Sequence, residues 1–293
     1  MLYIHFIVNP ISGNGKHIIT RSTLRTFFPA DMFRIEVDYT EHKKHATELT
    51  KKAVANNPDC IVACGGDGTI NEVASCLINT SVKLGIIPVG SGNGLSAHLQ
   101  IPKSIDKALQ IIINGQSTAI DVGKLNEKYF FSNMGVGIDA MIIKNYERSG
   151  KRTLTAYIKA SLTASTAFKT QKAILSFNNK VAEENPFMLF ISNSNEMGYN
   201  MSLTPKASLK DGMLDLIIVP QLSFSEKLAL GYYVLRNKVD KFKKAHHTLV
   251  DNLHMELPEK IFTDAQIDGE YHNLKTNSLK VSIIKHGLEV IIP

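Results

Sequence analysis

The sequence predicts an α/β protein in which a parallel-sheet N-terminal domain precedes a β-rich C-terminal sandwich. Three observations carry that expectation. Apolar runs of strand length alternate with helical patterns as far as residue 122, the signature of a parallel sheet with helices on its faces. Glycine-rich turns recur where those runs end. Beyond residue 122 short alternating runs separated by turn residues take over, as in antiparallel sandwiches.

Taken in order, 2–8 is a strand, 15–28 a helix, 33–39 a strand and 43–56 a helix. A short apolar run, 59–63, is a buried strand. A helix from Gly68 places Ile70, Val73, Ala74 and Leu77 at helical spacing. A strand at 82–89 and a helix after Pro102, with Ser104 at its N-cap, complete the series. Downstream, strands are expected at 128–134, 173–178, 187–193, 213–219, 248–257, 261–267, 279–284 and 288–292. Helices at 154–168 and 223–244 interrupt them. The chain therefore divides into residues 1–122 and 123–293, with a return of the last strand to the first domain left open.

Composition narrows the class. The chain has 293 residues, 44% hydrophobic and 20% charged, which describes a folded protein with ample core. No apolar run approaches the ~18 residues of a membrane span. Residues 1–8 lack a basic leader and a cleavage site and are expected to form a strand, not a signal peptide. Cys60, Cys64 and Cys76 are an odd number of thiols near one expected sheet, which suits buried thiols in a reducing compartment. The net charge of +6 favours acidic partners, and suits nucleotide, anionic membrane and nucleic acid equally.

The densest stretch is Cys64-Gly65-Gly66-Asp67-Gly68-Thr69-Ile70-Asn71-Glu72. A strand that breaks into glycines and then a helix exposes backbone amides at the carboxyl end of a sheet. Without Cβ atoms in the way, Gly65, Gly66 and Gly68 can approach an anion that the helix N-terminus also favours. Asp67 in the midst of a phosphate cradle calls for a cation or a reacting hydroxyl beside it. The plainer alternative is a glycine-rich turn with no ligand. The stretch is neither a Walker loop nor a Rossmann fingerprint, because neither spacing occurs. Two further polar loops, 9–16 and 90–94, fall at the same edge of the expected sheet, where such folds bind ligands.

These motifs, with Pro88-Val89-Gly90-Ser91-Gly92-Asn93, Asp121-Val122-Gly123, Asn133…Gly135-Val136-Gly137, Pro205-Lys206-Ala207-Ser208…Asp211-Gly212-Met213-Leu214-Asp215 and Asp268-Gly269-Glu270, resemble in order and nearly full span the diacylglycerol kinase catalytic family. The resemblance implies a nucleotide-binding α/β domain ahead of a lipid-binding β domain. It also implies transfer of the ATP γ-phosphoryl group to a lipid hydroxyl with Mg²⁺. By position it assigns ATP contacts to Asn9, Pro10, Ser12, Gly13, Thr40, Gly65, Gly66, Asp67, Gly68, Thr69, Asn71 and Ser91. It assigns the catalytic Mg²⁺ to Asp67 and Asp121, and a structural Mg²⁺ to the Asp211 carboxylate with main-chain oxygens of Ser208 and Met213. Asp67 counts as catalytic too, and Asp268 and Glu270 bracket the acceptor hydroxyl, one of them as base. Gly94 departs from the Asp that many bacterial members carry there, which puts diacylglycerol itself in doubt as the acceptor. Read as plain sequence, Asp211-Gly212 and Asp268-Gly269-Glu270 are turns, Thr40 is a helix N-cap and Lys16, a further phosphate contact, is a solvated lysine.

Two basic stretches, 146–172 and 236–244, interleave Lys and Arg with apolar residues. They suit peripheral contact with an anionic membrane as well as ordinary amphipathic helices. The expected location is the cytoplasm, at the inner face of the membrane, with a homodimer left open. Nucleic acid is not an expected partner, for want of a reading motif. His42-x-x-His45 lacks a third ligand in sequence and is expected to be solvated. Two competing functions remain: a small-molecule kinase, since NAD kinases and phosphofructokinases share Gly-Gly-Asp-Gly-Thr, and a silent nucleotide- or lipid-binding regulator.

Overall fold

The computed structural model of the chain describes every residue except Lys16 and Ile18, and of Asn14 the backbone alone. It forms two compact units, Met1–Ile120 with His286–Pro293, and Asp121–Lys285.

The first unit alternates as the apolar periodicity requires: β1 (Leu2–Val8), α1 (Arg21–Arg25), β2 (Phe33–Tyr39), α2 (His45–Val54), β3 (Cys60–Gly65), α3 (Asp67–Ala74), β4 (Lys83–Pro88), α4 (Gly94–His98) and α5 (Ile105–Asn114). Its strands lie in the order β2-β1-β3-β4 and pair in parallel. All six residues of β3 are buried, because helices cover both faces of a parallel sheet. Val8 pairs with Cys64, and Gly65 with Pro88, so three loops leave the sheet at one edge. The ladder runs on into them, with Asn9 N–H donating to the Cys64 carbonyl (2.9 Å) and Val89 N–H to the Gly65 carbonyl (3.0 Å).

The expected helix at 15–28 is a 3₁₀ turn, Ser12–Gly15, and the five-residue α1. Hydroxyls explain the shortening: the Thr20 hydroxyl accepts the Thr23 amide and the Thr23 hydroxyl accepts the Thr20 amide, so side chains satisfy backbone that would otherwise extend a helix. Thr40 is not an N-cap. Lys44 holds that position, at φ 69°, and its amide donates to Glu72 Oε1 of α3 (3.0 Å). Ser104 does occupy the N-cap of α5, but its side chain makes no capping bond.

The second unit takes up the chain within β5 (Ser117–Leu125). It continues through β6 (Lys128–Phe130), β7 (Asn133–Gly137), α6 (Ile138–Arg148), α7 (Leu154–Ala167), β8 (Ala173–Phe177), β9 (Lys180–Glu184), β10 (Pro186–Ser192) and β11 (Leu214–Pro220). Then come α8 (Phe224–Leu235), β12 (His246–Val250), β13 (Asn252–Glu256), β14 (Thr263–Ile267), β15 (Glu270–Leu274) and β16 (Ser278–Ile291). One antiparallel sheet has the order β12-β11-β10-β7-β14-β15. Facing it, β9, β8, β13 and the start of β16 form another. Met134, Leu189, Ile191 and Leu216 from the first sheet pack with Leu175, Leu253, Met255 and Val281 from the second. This is the expected sandwich, its core built from alternate residues of each strand.

Residues Met188 and Phe190 of β10 point the other way, into a second core beneath α6, α7 and α8. That helical layer includes α6, which the sequence reading missed because the glycines of β7 masked the change of periodicity. The run 248–257 is two strands in different sheets, β12 and β13, parted at Asp251. The runs 279–284 and 288–292 are one strand, β16, whose end pairs Val290 with Leu84 of β4 in the first unit. The helix expected to reach residue 244 ends at Leu235, before Asn237 at φ 52° and a 3₁₀ turn, Val239–Lys241.

Candidate functional site

In the first unit the three loops converge around Asp67, the first residue of α3. Its Oδ2 accepts the Asn93 amide (2.7 Å) and its Oδ1 the Gly94 amide (2.8 Å). The carboxylate thereby ties the loop after β4 to the start of the helix after β3. Asn93 is buried in the left-handed conformation, φ 60°, and donates from Nδ2 to the Gly90 carbonyl (2.6 Å). Asn9, at the end of β1, donates from Nδ2 to Thr69 Oγ1 (3.1 Å), which ties in the third loop.

Only glycines fit this convergence. A Cβ on Gly90 would lie 2.5 Å from the Gly66 Cα, and one on Gly92 would lie 2.7 Å from Asp67 Oδ2. Gly13, at φ +62°, would meet the Val89 carbonyl oxygen at 2.6 Å. A Cβ on Gly65 would overlap the Thr69 side chain. The result is a half-exposed backbone surface, Gly66 to Gly68, at the amino end of a helix, where amide dipoles favour an anion.

Of the other residues expected here, Ser12 opens the 3₁₀ turn and donates its amide to the Asn9 carbonyl (3.2 Å). Pro10 and Ser91 are exposed on their loops. The Thr40 amide bonds the Val8 carbonyl (2.9 Å), which places it at the same strand end. Asn71 lies one turn into α3 and accepts from the Ser75 hydroxyl (3.3 Å). Lys16 lies outside the described residues.

In the second unit Asp121 is fully buried. Its Oδ2 accepts the Gly212 amide (2.7 Å), and its own amide donates to the Leu209 carbonyl (2.7 Å). Its carboxylate thus serves the turn that carries Ser208, Asp211 and Met213. Asp211 accepts the Met213 amide at Oδ1 (3.0 Å), and the Ser208 hydroxyl accepts the Lys210 amide (3.2 Å). Two carboxylates and main-chain carbonyls are an oxygen-rich set, the kind hard cations use.

Asp268 and Glu270, two positions apart in sequence, have different surroundings. Asp268 and Gly269, at φ 45° and 76°, make the two-residue turn between β14 and β15, where Ile267 pairs with Glu270. The Asp268 carboxylate accepts three amides, from Phe131 (2.9 Å), Ser132 (2.8 Å) and Asn133 (3.1 Å), and is buried. Glu270 opens β15 and is half-buried.

Two acids the sequence reading passed over stand out by burial. Asp139, in the first turn of α6, has an Oδ2 with no partner among the described residues, and burial pushes its carboxyl up to about 6 against an opposing hydrogen bond from Gln266. Glu196 also has an unpartnered oxygen, and burial raises its carboxyl. The one available signal for Asp139 was an acid directly after Gly-Val-Gly-Ile in an otherwise apolar stretch. A cavity of about 100 Å³ opens between the sheets, lined by Val136, Met141, Phe168, Leu189 and Met255, with Gln171, Lys260, Asp264 and Thr263, whose buried hydroxyl has no partner among the described residues.

Among the described residues, His42, His45 and Glu48 bring three ligand atoms within 4.8 Å of one another, so Glu48 supplies the third group the sequence pattern lacked. The two rings stack at 4.5 Å and 10°, and His45 Nδ1 accepts the Glu41 amide (3.0 Å). Two imidazoles suit a transition metal, whereas Mg²⁺ takes oxygen ligands.

Comparison with known proteins places two family models on the chain. The model of the diacylglycerol kinase catalytic domain matches residues 3–125, and that of the YegS C-terminal NAD kinase beta sandwich-like domain matches residues 132–283. A diacylglycerol kinase of Bacillus subtilis (strain 168) is 28% identical over 295 residues, covering 98% of this chain and 95% of its own. One of Staphylococcus aureus (strain JH9) is 29% identical over 279 residues, covering 90% of this chain and 85% of its own. A crystal structure of a diacylglycerol kinase from Bacillus anthracis str. Sterne has the same fold, with TM-score 0.79 and 24% identity over 99% of this chain and 97% of that one. With one model on the glycine-loop unit, the other on the sandwich and relatives matching nearly end to end, the chain belongs to the diacylglycerol kinase catalytic family, a family of lipid kinases.

Proposed function

We propose that the protein transfers the γ-phosphoryl group of ATP to the hydroxyl of diacylglycerol or a related lipid, with Mg²⁺. The observation that carries the reading is the three-loop convergence on Asp67, where only glycines fit and half-exposed backbone meets a helix N-terminus. Such a surface suits the phosphates of a nucleotide.

In this reading the Gly65–Thr69 backbone, with the Asn9 to Gly13 and Gly90 to Asn93 loops, holds the ATP phosphates, and Thr40 and Asn71 flank them. Asp67 supplies the hard oxygen donor that suits Mg²⁺. When bound, Mg²⁺ spreads the charge that develops on the transferring group. Asp121, given to the same ion on the resemblance alone, goes instead with Asp211, Ser208 and Met213 as an oxygen set for a structural ion. Glu270 is the base for the lipid hydroxyl. Asp268, with three amides on its carboxylate, holds the turn that positions Glu270. The cavity in the sandwich, mostly apolar in its lining, favours an acceptor with a hydrocarbon tail. An enzyme that draws ATP and a membrane lipid works in the cytoplasm at the inner face of the membrane.

The test is transfer of labelled γ-phosphate from ATP and Mg²⁺ to a panel of lipids in mixed micelles, with NAD and fructose 6-phosphate alongside. Label in a lipid, lost with Glu270→Ala, is the expected result. Label in a soluble acceptor alone would replace the lipid reading with a small-molecule kinase. ATP binding with no transfer to any acceptor would leave a regulator.

A further inference from the structure

Helix α8 is apolar on the wrong side. Of its twelve residues only Leu230 is buried, while Phe224, Leu228, Tyr232 and Leu235 are 72%, 53%, 58% and 56% exposed. Their spacing of four, four and three residues puts them in one stripe along the helix, roughly 16 Å long at ~1.5 Å per residue. Surface helices of folded proteins turn such a stripe inward. Here the inward side already packs on the outer face of β10 and β11, so the stripe is a second apolar face.

The neighbouring helix extends the pattern. α7 buries only Ala160 and Ala164 and leaves Leu162 57% and Ile158 37% exposed. The two helices are joined where Lys227 Nζ donates to the Ser165 carbonyl (2.7 Å). The charge around the stripe is predominantly positive. Residues 224–244 contain six basic side chains against two acids, a net of +4, and one of the acids, Glu226, is paired with Lys244 (2.6 Å). Arg236 stands 5.8 Å from the Tyr232 ring, and Lys238, Lys241 and Lys243 are exposed just beyond the helix end.

We infer that this outward face of α8, continued by Leu162 and Ile158 of α7, is the surface by which the protein rests on an anionic lipid bilayer. The inference rests on the lipid-kinase reading for its purpose and on the α8 stripe for its place. Apolar side chains can enter the headgroup boundary while the flanking cations meet anionic headgroups. Charge chooses this occupant over a second copy of the chain: a copy docking through the same stripe would bring a second set of cations, with Asp240 the one acid of residues 224–244 without an ion pair among the described residues to offset them.

The test is flotation of the full chain with vesicles of phosphatidylcholine, with and without phosphatidylglycerol. The triple variant Phe224→Ser/Leu228→Ser/Tyr232→Ser runs beside the wild type, with Lys241→Glu/Lys243→Glu as an independent charge variant. The expected result is flotation of the wild type on anionic vesicles, at least tenfold weaker for the triple variant and weakened by salt and by the charge variant. Flotation of the triple variant equal to wild type, or none by either, overturns the inference. So does a wild-type dimer in sedimentation that the triple variant dissolves, since that assigns the stripe to a second copy. Transfer of label to a short-chain lipid dispersed as monomers separates this result from the parent reading. If both proteins label it alike, the kinase reading stands whatever the vesicles show; if neither does, that reading fails while flotation still decides the surface.

Discussion

Asp268 and Glu270 show how two carboxylates two positions apart come to different surroundings. Three amides converge on Asp268, and a buried donor deprived of its acceptor costs roughly 1–3 kcal/mol. Asp268→Ala is therefore expected to lower the melting temperature, with an unfolding loss of roughly 3 kcal/mol or more by the same measure. Glu270→Ala is expected to melt like the wild type and to lose label transfer by ~10²–10⁴. A Glu270→Ala protein that transfers label normally would move the base elsewhere. Asp139 yields a prediction in pH. Burial raises its carboxyl from 3.8 to about 6, so between those values the folded chain binds more protons than the unfolded one. Stability from this group is thus fully present at low pH and is lost as pH rises through about 6. The loss is roughly 3 kcal/mol, for about two units at ~1.4 kcal/mol each. Asp139→Asn is expected to match wild-type stability near pH 4 and exceed it at pH 8. Denaturant melts of both proteins across that range would show it, and parallel curves would remove the burial argument.

At the scale of elements, the loops after β1, β3 and β4 act as one object because parallel pairing brings their starts to one edge. Their packing leaves no room for a side chain at Gly90, where a Cβ would sit 2.5 Å from the Gly66 Cα, with backbone that cannot step aside cheaply. Gly90→Ala is therefore expected to push the loops apart, weakening ATP binding by about tenfold or more, on the scale of 1.4 kcal/mol per tenfold. Gly115→Ala, with its nearest neighbour at 4.0 Å, is the control for a mere loss of glycine flexibility. It is expected to bind ATP normally at a cost of about 1 kcal/mol for its left-handed conformation. Titration calorimetry with ATP reads both. Equal affinities would mean that the cradle tolerates a side chain.

At the scale of the whole molecule, the chain leaves its first unit at residue 120 and comes back to it for the last eight residues. Leu288, Val290 and Ile291 are buried there, and Val290 pairs with Leu84 of β4. Each buried side chain of this size contributes roughly 1.5–3 kcal/mol. Deletion of residues 286–293 is therefore expected to expose the first unit to proteolysis and to abolish ATP binding, although no residue of the proposed ATP site is removed. Retention of ATP binding by the truncated chain would show that the first unit holds its fold without the returning strand.

The sequence by itself determined the fold class, since both periodicities are local: strand and helix patterns alternate early, and short strands follow. It also determined that the three polar loops leave the sheet at one edge, because a parallel sheet sends every strand-to-helix turn there. β2 was legible to the residue, since Phe33–Tyr39 alternates between clear turn signals. Only tertiary structure decided the rest. α6 lay hidden behind Gly135 and Gly137, and β15 behind a polar composition, because pairing with β14 and not apolar content makes it a strand. The two sheets claimed by β12 and β13 could not be read from one unbroken run, since strand partners are fixed by distant contacts. Tertiary structure alone set Asp268 among three amides from residues more than 130 positions away, brought Gly212 to Asp121, and left one Asp139 oxygen without a partner among the described residues. The physical reason is common to all of these: periodicity records which face of an element is apolar, whereas burial and hydrogen-bond partners depend on which other element comes to lie against it.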